Sequence, residues 1–129
     1  MRYVRSLLLL VAVAAAASSN TWGQAYPTRA VRVIVSAAAG GPSDVIGRIV
    51  AQKLSERLGQ QFYVENIPTG AGNVAVGMVA KAAPDGYTLL SPTSAVVINP
   101  SLYANLPYDT LRDFAPVTLA AASPHVLTV

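Results

Sequence analysis

The stretch that most restricts the fold runs from Val31 to Leu58 and reads as strand, glycine turn, helix. Val31, Val33, Ile34 and Val35 make a short apolar run broken only by Arg32. Ser36-Ala37-Ala38-Ala39-Gly40-Gly41-Pro42-Ser43-Asp44 follows. Val45, Ile46, Ile49, Val50, Leu54 and Leu58 then recur at helical spacing as far as a stop at Gly59. A strand this uniformly apolar belongs inside a parallel sheet, covered on both faces. Gly40 and Gly41 let the backbone approach a ligand with no Cβ in the way. Pro42 suits the first helical position and Asp44 the first turn. The opening N–H groups of such a helix lack internal partners and sit at its positive end, which favours an anion, a carboxylate as readily as a phosphate. A plain capped βα turn would carry the same residues.

The pattern repeats. Gln61–Glu65 reads as a second strand, rich in aromatic and branched residues. A second glycine loop, Asn66–Asn73, leads to a helix expected over Asn73–Ala83. Its buried candidates are Val74, Met78 and Val79, with Ala75 and Gly77 allowing close packing on the sheet. Pro84-Asp85-Gly86 makes a turn, and Tyr87–Leu90 a third strand that enters the hydroxyl-rich loop Ser91-Pro92-Thr93-Ser94. Beyond it, a short helical turn is expected at Asn99–Tyr103 with Pro100 near its start, and one turn of helix at Thr110–Phe114. Strand segments are expected at Pro116–Ala121 and His125–Val129. Three strands alternating with helices define an α/β fold with a parallel sheet and right-handed crossovers. In such sheets ligands bind beyond the carboxyl ends of the strands. The loops at 36–44, 66–73 and 91–95 all follow strands and so share that edge. None supplies a cationic clamp, so the expected contacts are backbone N–H groups and hydroxyls aimed at a small anion.

The first 25 residues read differently. Arg2 and Arg5 precede an apolar run of 11 residues, Leu7–Ala17, too short to span a bilayer comfortably. Gly23-Gln24-Ala25 offers small residues where a signal peptidase reads, so residues 1–25 are expected to be a cleaved signal peptide, with Ala17–Ser19 a second candidate site. Residues 26–129 then form the working domain. Losing two of the nine basic residues leaves seven against six acidic ones, a net charge of only +1. No nucleic-acid-binding patch is evident. With no Cys and one His, thiol chemistry and multi-histidine zinc sites are excluded.

Two enzymatic readings are available. Gly70-Ala71-Gly72-Asn73-Val74-Ala75 fits the dinucleotide pattern G-x-G-x-x-A after a strand, which would make this a Rossmann-like oxidoreductase domain. That reading requires an acid at the end of the next strand. A hydrolase would need Ser36 or Ser91 as nucleophile with His125 as base, and no G-x-S-x-G elbow occurs.

Several runs occur here in one order: Tyr26-Pro27, Ala39-Gly40-Gly41-Pro42-Ser43-Asp44, Val64-Glu65-Asn66, Gly72-Asn73, Lys81-Ala82-Ala83-Pro84-Asp85-Gly86-Tyr87-Thr88-Leu89-Leu90, Asn99-Pro100-Ser101-Leu102-Tyr103 and Leu106-Pro107-Tyr108-Asp109 with Asp113–Val117. The chain thereby resembles the Bug family of periplasmic solute-binding proteins, the TctC-type receptors of tripartite tricarboxylate transporters. The resemblance implies a type II, Venus-flytrap periplasmic binding protein without catalysis or cofactor. It would bind a small carboxylate and deliver it to the membrane subunits of the transporter.

By position, the resemblance assigns ligand contacts to Ala39, Gly40, Gly41 and Asp44, to Gly70, Ala71, Gly72 and Asn73, and to Ser91, Thr93, Ser94 and Ala95. Asp44 fits helix capping better than contact with an anion. The family shows Pro-Phe where this chain has Ser36-Ala37, and Arg-Pro-Gly where it has Ile67-Pro68-Thr69. An aromatic wall and a loop cation are thereby lost. The sequence is also expected to hold only part of the first lobe, with the second lobe absent and binding impaired, because ligand pockets normally enclose about 70–90% of the ligand.

Overall fold

The computed structural model describes residues 26–122. The signal-peptide reading of residues 1–25 and the strand expected at His125–Val129 lie outside them. Six elements follow in order: β1 (Val31–Val35), α1 (Pro42–Leu58), β2 (Phe62–Asn66), α2 (Asn73–Ala80), β3 (Thr88–Ser91) and α3 (Ala95–Leu102). The three strands form one parallel sheet in the order β2-β1-β3. Val33 of β1 is level with Val64 on one side and Leu89 on the other.

β1 is central because it can be buried everywhere. Val31, Ile34 and Val35 are fully enclosed and Val33 nearly so. Val31 and Val33 cluster with Phe62 and with Ala51 of α1, flanked by Leu54, Val64, Tyr87 and Leu89. Burying each such side chain stabilises the fold by about 1.5–3 kcal/mol. Arg32 has the opposite side-chain direction within the strand. Its guanidinium forms a two-pronged pair with Glu65 at 2.7 and 2.8 Å and approaches Met78 Sδ of α2 at 3.6 Å. The two helices therefore cover opposite faces of the sheet.

The inward face of α1 is not the branched stripe expected from spacing. Asp44, Gly47 and Ala51 are its buried residues. A Cβ at Gly47 would meet Val35 Cγ2 at 3.1 Å, so the helix sits too close to the valines of the sheet for larger side chains. Val45, Ile49, Val50 and Leu58 are exposed instead. The same correction applies to α2, which buries Ala75, Val76 and Gly77 while Val74 and Met78 are exposed. A Cβ on Gly77 would come within 2.7 Å of Pro107 Cγ, so Gly77 accommodates the 107 loop rather than the sheet. α2 also ends at Ala80, not Ala83.

Pro100 does not start a short turn; it lies inside α3. It has no N–H to give the carbonyl four residues back. That carbonyl, Val96 O, accepts instead from the Thr110 hydroxyl at 2.9 Å. The region 110–113 turns, as expected, but residues 114–122 form no strand, contrary to the expectation for Pro116–Ala121. Val117 and Leu119 are largely exposed there, with no ladder partner among the described residues.

Candidate functional site

The strand order places a switch point between β1 and β3. The chain leaves β1 for α1 on one face, whereas α2 packs against β3 on the other and touches α3. A crevice opens where neighbouring strands send their chains in opposite directions. The loops 36–44, 66–73 and 91–95 follow β1, β2 and β3 and converge at this edge.

Ser36 joins them. It is the first residue after β1 and is 7% exposed. Its Oγ accepts the Thr93 N–H at 3.1 Å, stitching the first loop to the third. Its N–H bonds Ser91 O at 3.4 Å. A Cβ on Gly72 would stand 2.9 Å from Ser36 O and 3.1 Å from Ser36 Cβ, so the second loop also rests against it. The hydroxyl proton of Ser36 has no acceptor among the described residues. Sequence reasoning treated Ser36 only as a possible nucleophile and as a departure from Pro-Phe, and its bridging role was missed. Its place directly after the central strand was the available signal.

The first loop is held by a buried carboxylate. Asp44 Oδ2 accepts the Gly40 N–H at 2.8 Å and Arg48 Nε at 3.0 Å. Arg48 Nη2 donates to Asn66 Oδ1 at 3.0 Å, and Asn66 Nδ2 to Ala37 O at 3.1 Å. Arg48, then the Gly40 amide and Asn66, holds the Asp44 carboxyl down from its ordinary 3.8 to about 2. Oδ1 is buried without a donor, although Arg48 Nε lies 3.0 Å away. Asp44 thus ties down the amide two residues before α1 and not an amide of its first turn, and its Oδ2 is committed to Gly40 and Arg48. Gly40 takes φ +83° with nothing near its missing Cβ, and Ala39 is exposed.

The second loop is the most contorted part of the chain. Gly70, Ala71 and Gly72 take φ of +61°, +54° and +83° in succession. For Ala71 that region costs roughly 1–2 kcal/mol. It is held by neighbours: Asn99 Nδ2 donates to Ala71 O at 3.3 Å and to Asn73 Oδ1 at 2.7 Å, and Tyr108 OH donates to Asn73 Oδ1 at 2.8 Å. Burial pushes the Tyr108 phenol up, with Asn99 acting against it. Neither Asn99 nor Tyr108 was a sequence-level candidate for this region. In the third loop, Ser91 ends β3 and Ala95 begins α3, while Thr93 Oγ1 accepts the Ala95 N–H at 3.3 Å. Ser94 precedes the helix without a side-chain cap.

The G-x-G-x-x-A pattern at 70–75 lacks the acid that a dinucleotide site requires, because β3 ends at Ser91. Its close fit against Ser36 supplies another reason for Gly72. The hydrolase reading rests on His125, which lies outside the described residues.

A parallel α/β sheet with three strand-end loops gathered at a switch point defines a periplasmic binding-protein unit, and solved structures agree. A periplasmic transporter matches at 46% identity and TM-score 0.69, covering 73% of this chain and 32% of that one. The periplasmic binding protein BugD matches at 37% and 0.65, covering 70% and 30%. MatC from Rhodopseudomonas palustris with bound malate matches at 37% and 0.62, covering 71% and 32%. Among curated relatives, a UPF0065 protein from the TAR-I ttuE-ttuC' intergenic region of Agrobacterium vitis is 45% identical over 102 residues, 79% of this chain and 30% of its own. Another, from the tcbD-tcbE intergenic region of Pseudomonas sp. (strain P51), is 39% identical over 127 residues, 97% and 38%.

Residues 46–129 match the tripartite tricarboxylate transporter family receptor, TctC, and the chain belongs to that family. It spans about a third of the length of the curated relatives it matches.

Proposed function

We propose that this chain contributes one wall of an extracytoplasmic receptor that captures a small carboxylate for a tripartite tricarboxylate transporter, with no catalytic step. The observation that carries the reading is the meeting of three strand-end loops at Ser36, a buried hydroxyl whose proton has no acceptor among the described residues, beside the amino ends of α1, α2 and α3. Backbone amides and hydroxyls gathered at helix amino termini suit a carboxylate without any cationic side chain. The contacts we assign are the backbones of Ala39, Gly40, Gly41, Gly70, Ala71 and Gly72, the side chains of Asn73, Ser91, Thr93 and Ser94, and Ala95 at the start of α3. Asp44 belongs to this set as the residue that shapes the first loop. The malate bound to MatC supports the ligand class. Export through a cleaved leader ending at Ala25, with delivery to membrane subunits in the periplasm, completes the reading.

The test is a malate titration of the 15N-labelled chain at constant ionic strength. These residues enclose the ligand from one side, so the expected affinity is about millimolar, ~4 kcal/mol. Amide shifts confined to 37–44, 70–75 and 91–95 support the proposal. Shifts scattered over the surface, or none, overturn it.

A further inference from the structure

The carboxamide of Asn73 has a fixed direction. Ala71 O is a backbone carbonyl and can only accept. The group it meets on Asn99 must therefore be the amino end, Nδ2. That same Nδ2 lies 2.7 Å from the Asn73 side chain, so the Asn73 atom there must be its oxygen. Tyr108 adds a second donor to this oxygen at 2.8 Å. Asn73 Oδ1 is thus doubly bonded to inward partners, and the amino group is left over. It has no protein partner among the described residues, and Asn73 is only half-buried. Asn73 is also the first residue of α2, at the positive end of that helix, next to Gly72 where the second loop rests on Ser36.

We propose that Asn99 and Tyr108 are positioning residues that lock the Asn73 carboxamide with its amino group toward the ligand, so that the second loop accepts only a hydrogen-bond acceptor such as a carboxylate oxygen. This rests on the carboxylate reading above. It explains the burial of Asn99, which is 5% exposed and whose amino group bonds Ala71 O and Asn73 Oδ1. A freely rotating carboxamide would present its oxygen as readily as its amino group and would select nothing.

The experiment follows the Asn73 side-chain NH2 resonance in the 15N-labelled chain during titration with malate, its assignment set by its loss in Asn73→Asp. The expected result is a saturable shift of that resonance in step with the Gly72 and Thr93 amides. In Tyr108→Phe the apparent affinity falls about 2- to 10-fold, one hydrogen bond's worth. Asn73→Asp keeps both accepted bonds but replaces the donor with an anionic oxygen. It should unfold within a few degrees of the parent and show no saturable malate response. If Asn73→Asp fails to fold, the wild-type side-chain resonance still decides. A stationary Asn73 resonance while Gly72 and Thr93 move overturns this proposal and leaves the carboxylate reading standing. So does malate binding by Asn73→Asp at parental affinity. No movement in any of the three loops overturns both.

Discussion

Gly40 and Gly72 share φ +83°, and the contrast between them allows a clean measurement. Gly40 has no atom within 4 Å of the position a Cβ would take, whereas at Gly72 that position lies 2.9 Å from the backbone oxygen of Ser36. Replacing either with Ala incurs the left-handed penalty of roughly 1–2 kcal/mol. Both recover about 0.4–1 kcal/mol because the unfolded chain has fewer states. Gly40→Ala should therefore cost about 0–1.6 kcal/mol. Gly72→Ala carries in addition the overpacking cost, typically about 1–3 kcal/mol, and backbone cannot swing aside as a flexible side chain can. The expected loss is about 1–4.6 kcal/mol, a large part of the roughly 5–15 kcal/mol that holds a domain together. Urea unfolding followed by circular dichroism measures both variants against the parent. Equal losses at the two sites would refute the claim that the second loop is seated on Ser36.

Other expected outcomes follow from single contacts. The carboxyls of Asp44 and Glu65 are both held below their ordinary values, so each contributes stability that is lost as pH falls, for Asp44 on the way down to about 2. Asp44→Asn should accordingly unfold with a weaker acid dependence, read from thermal midpoints between pH 2 and 6. Thr110→Val leaves the Val96 carbonyl opposite Pro100 unpaired and should cost about 1 kcal/mol in urea unfolding. Gly77→Ala drives a Cβ into Pro107 and should destabilise by about 1–3 kcal/mol, with the largest amide shifts at residues 105–109. Ser36→Ala removes the acceptor of the Thr93 N–H; faster hydrogen exchange at Thr93 checks it.

The first half of the fold was legible in the sequence because its punctuation is strong. Gly41-Pro42 and Gly59 bound α1, and the observed limits of β1 and α1 are those expected. The faces of the helices were not legible. A periodicity of large apolar residues assumes room for them, but at Gly47 α1 lies so close to Val35 that a larger side chain would not fit, and Ala51 is buried beside it. Pro100 misled for a related reason: a proline inside a helix is tolerated here because a threonine ten positions further on fills the vacant bond. At the site, the three loops could be placed at one edge from strand polarity alone. What ties them together could not, since the Ser36–Thr93 contact spans 57 positions and the Asn99–Ala71 contact 28.

The amino-terminal clasp has a further consequence. Tyr26 donates its hydroxyl proton to Gly86 O at 2.6 Å and meets the Tyr87 ring edge-on, while Arg29 stacks over that ring and pairs with Asp85. All of these partners precede β3, so they lie at the pole where parallel strands begin. The receiving loops lie at the pole where the strands end. The described chain therefore enters the fold at the pole opposite the one where its receiving loops gather, and the aromatic clasp holds that entry in place.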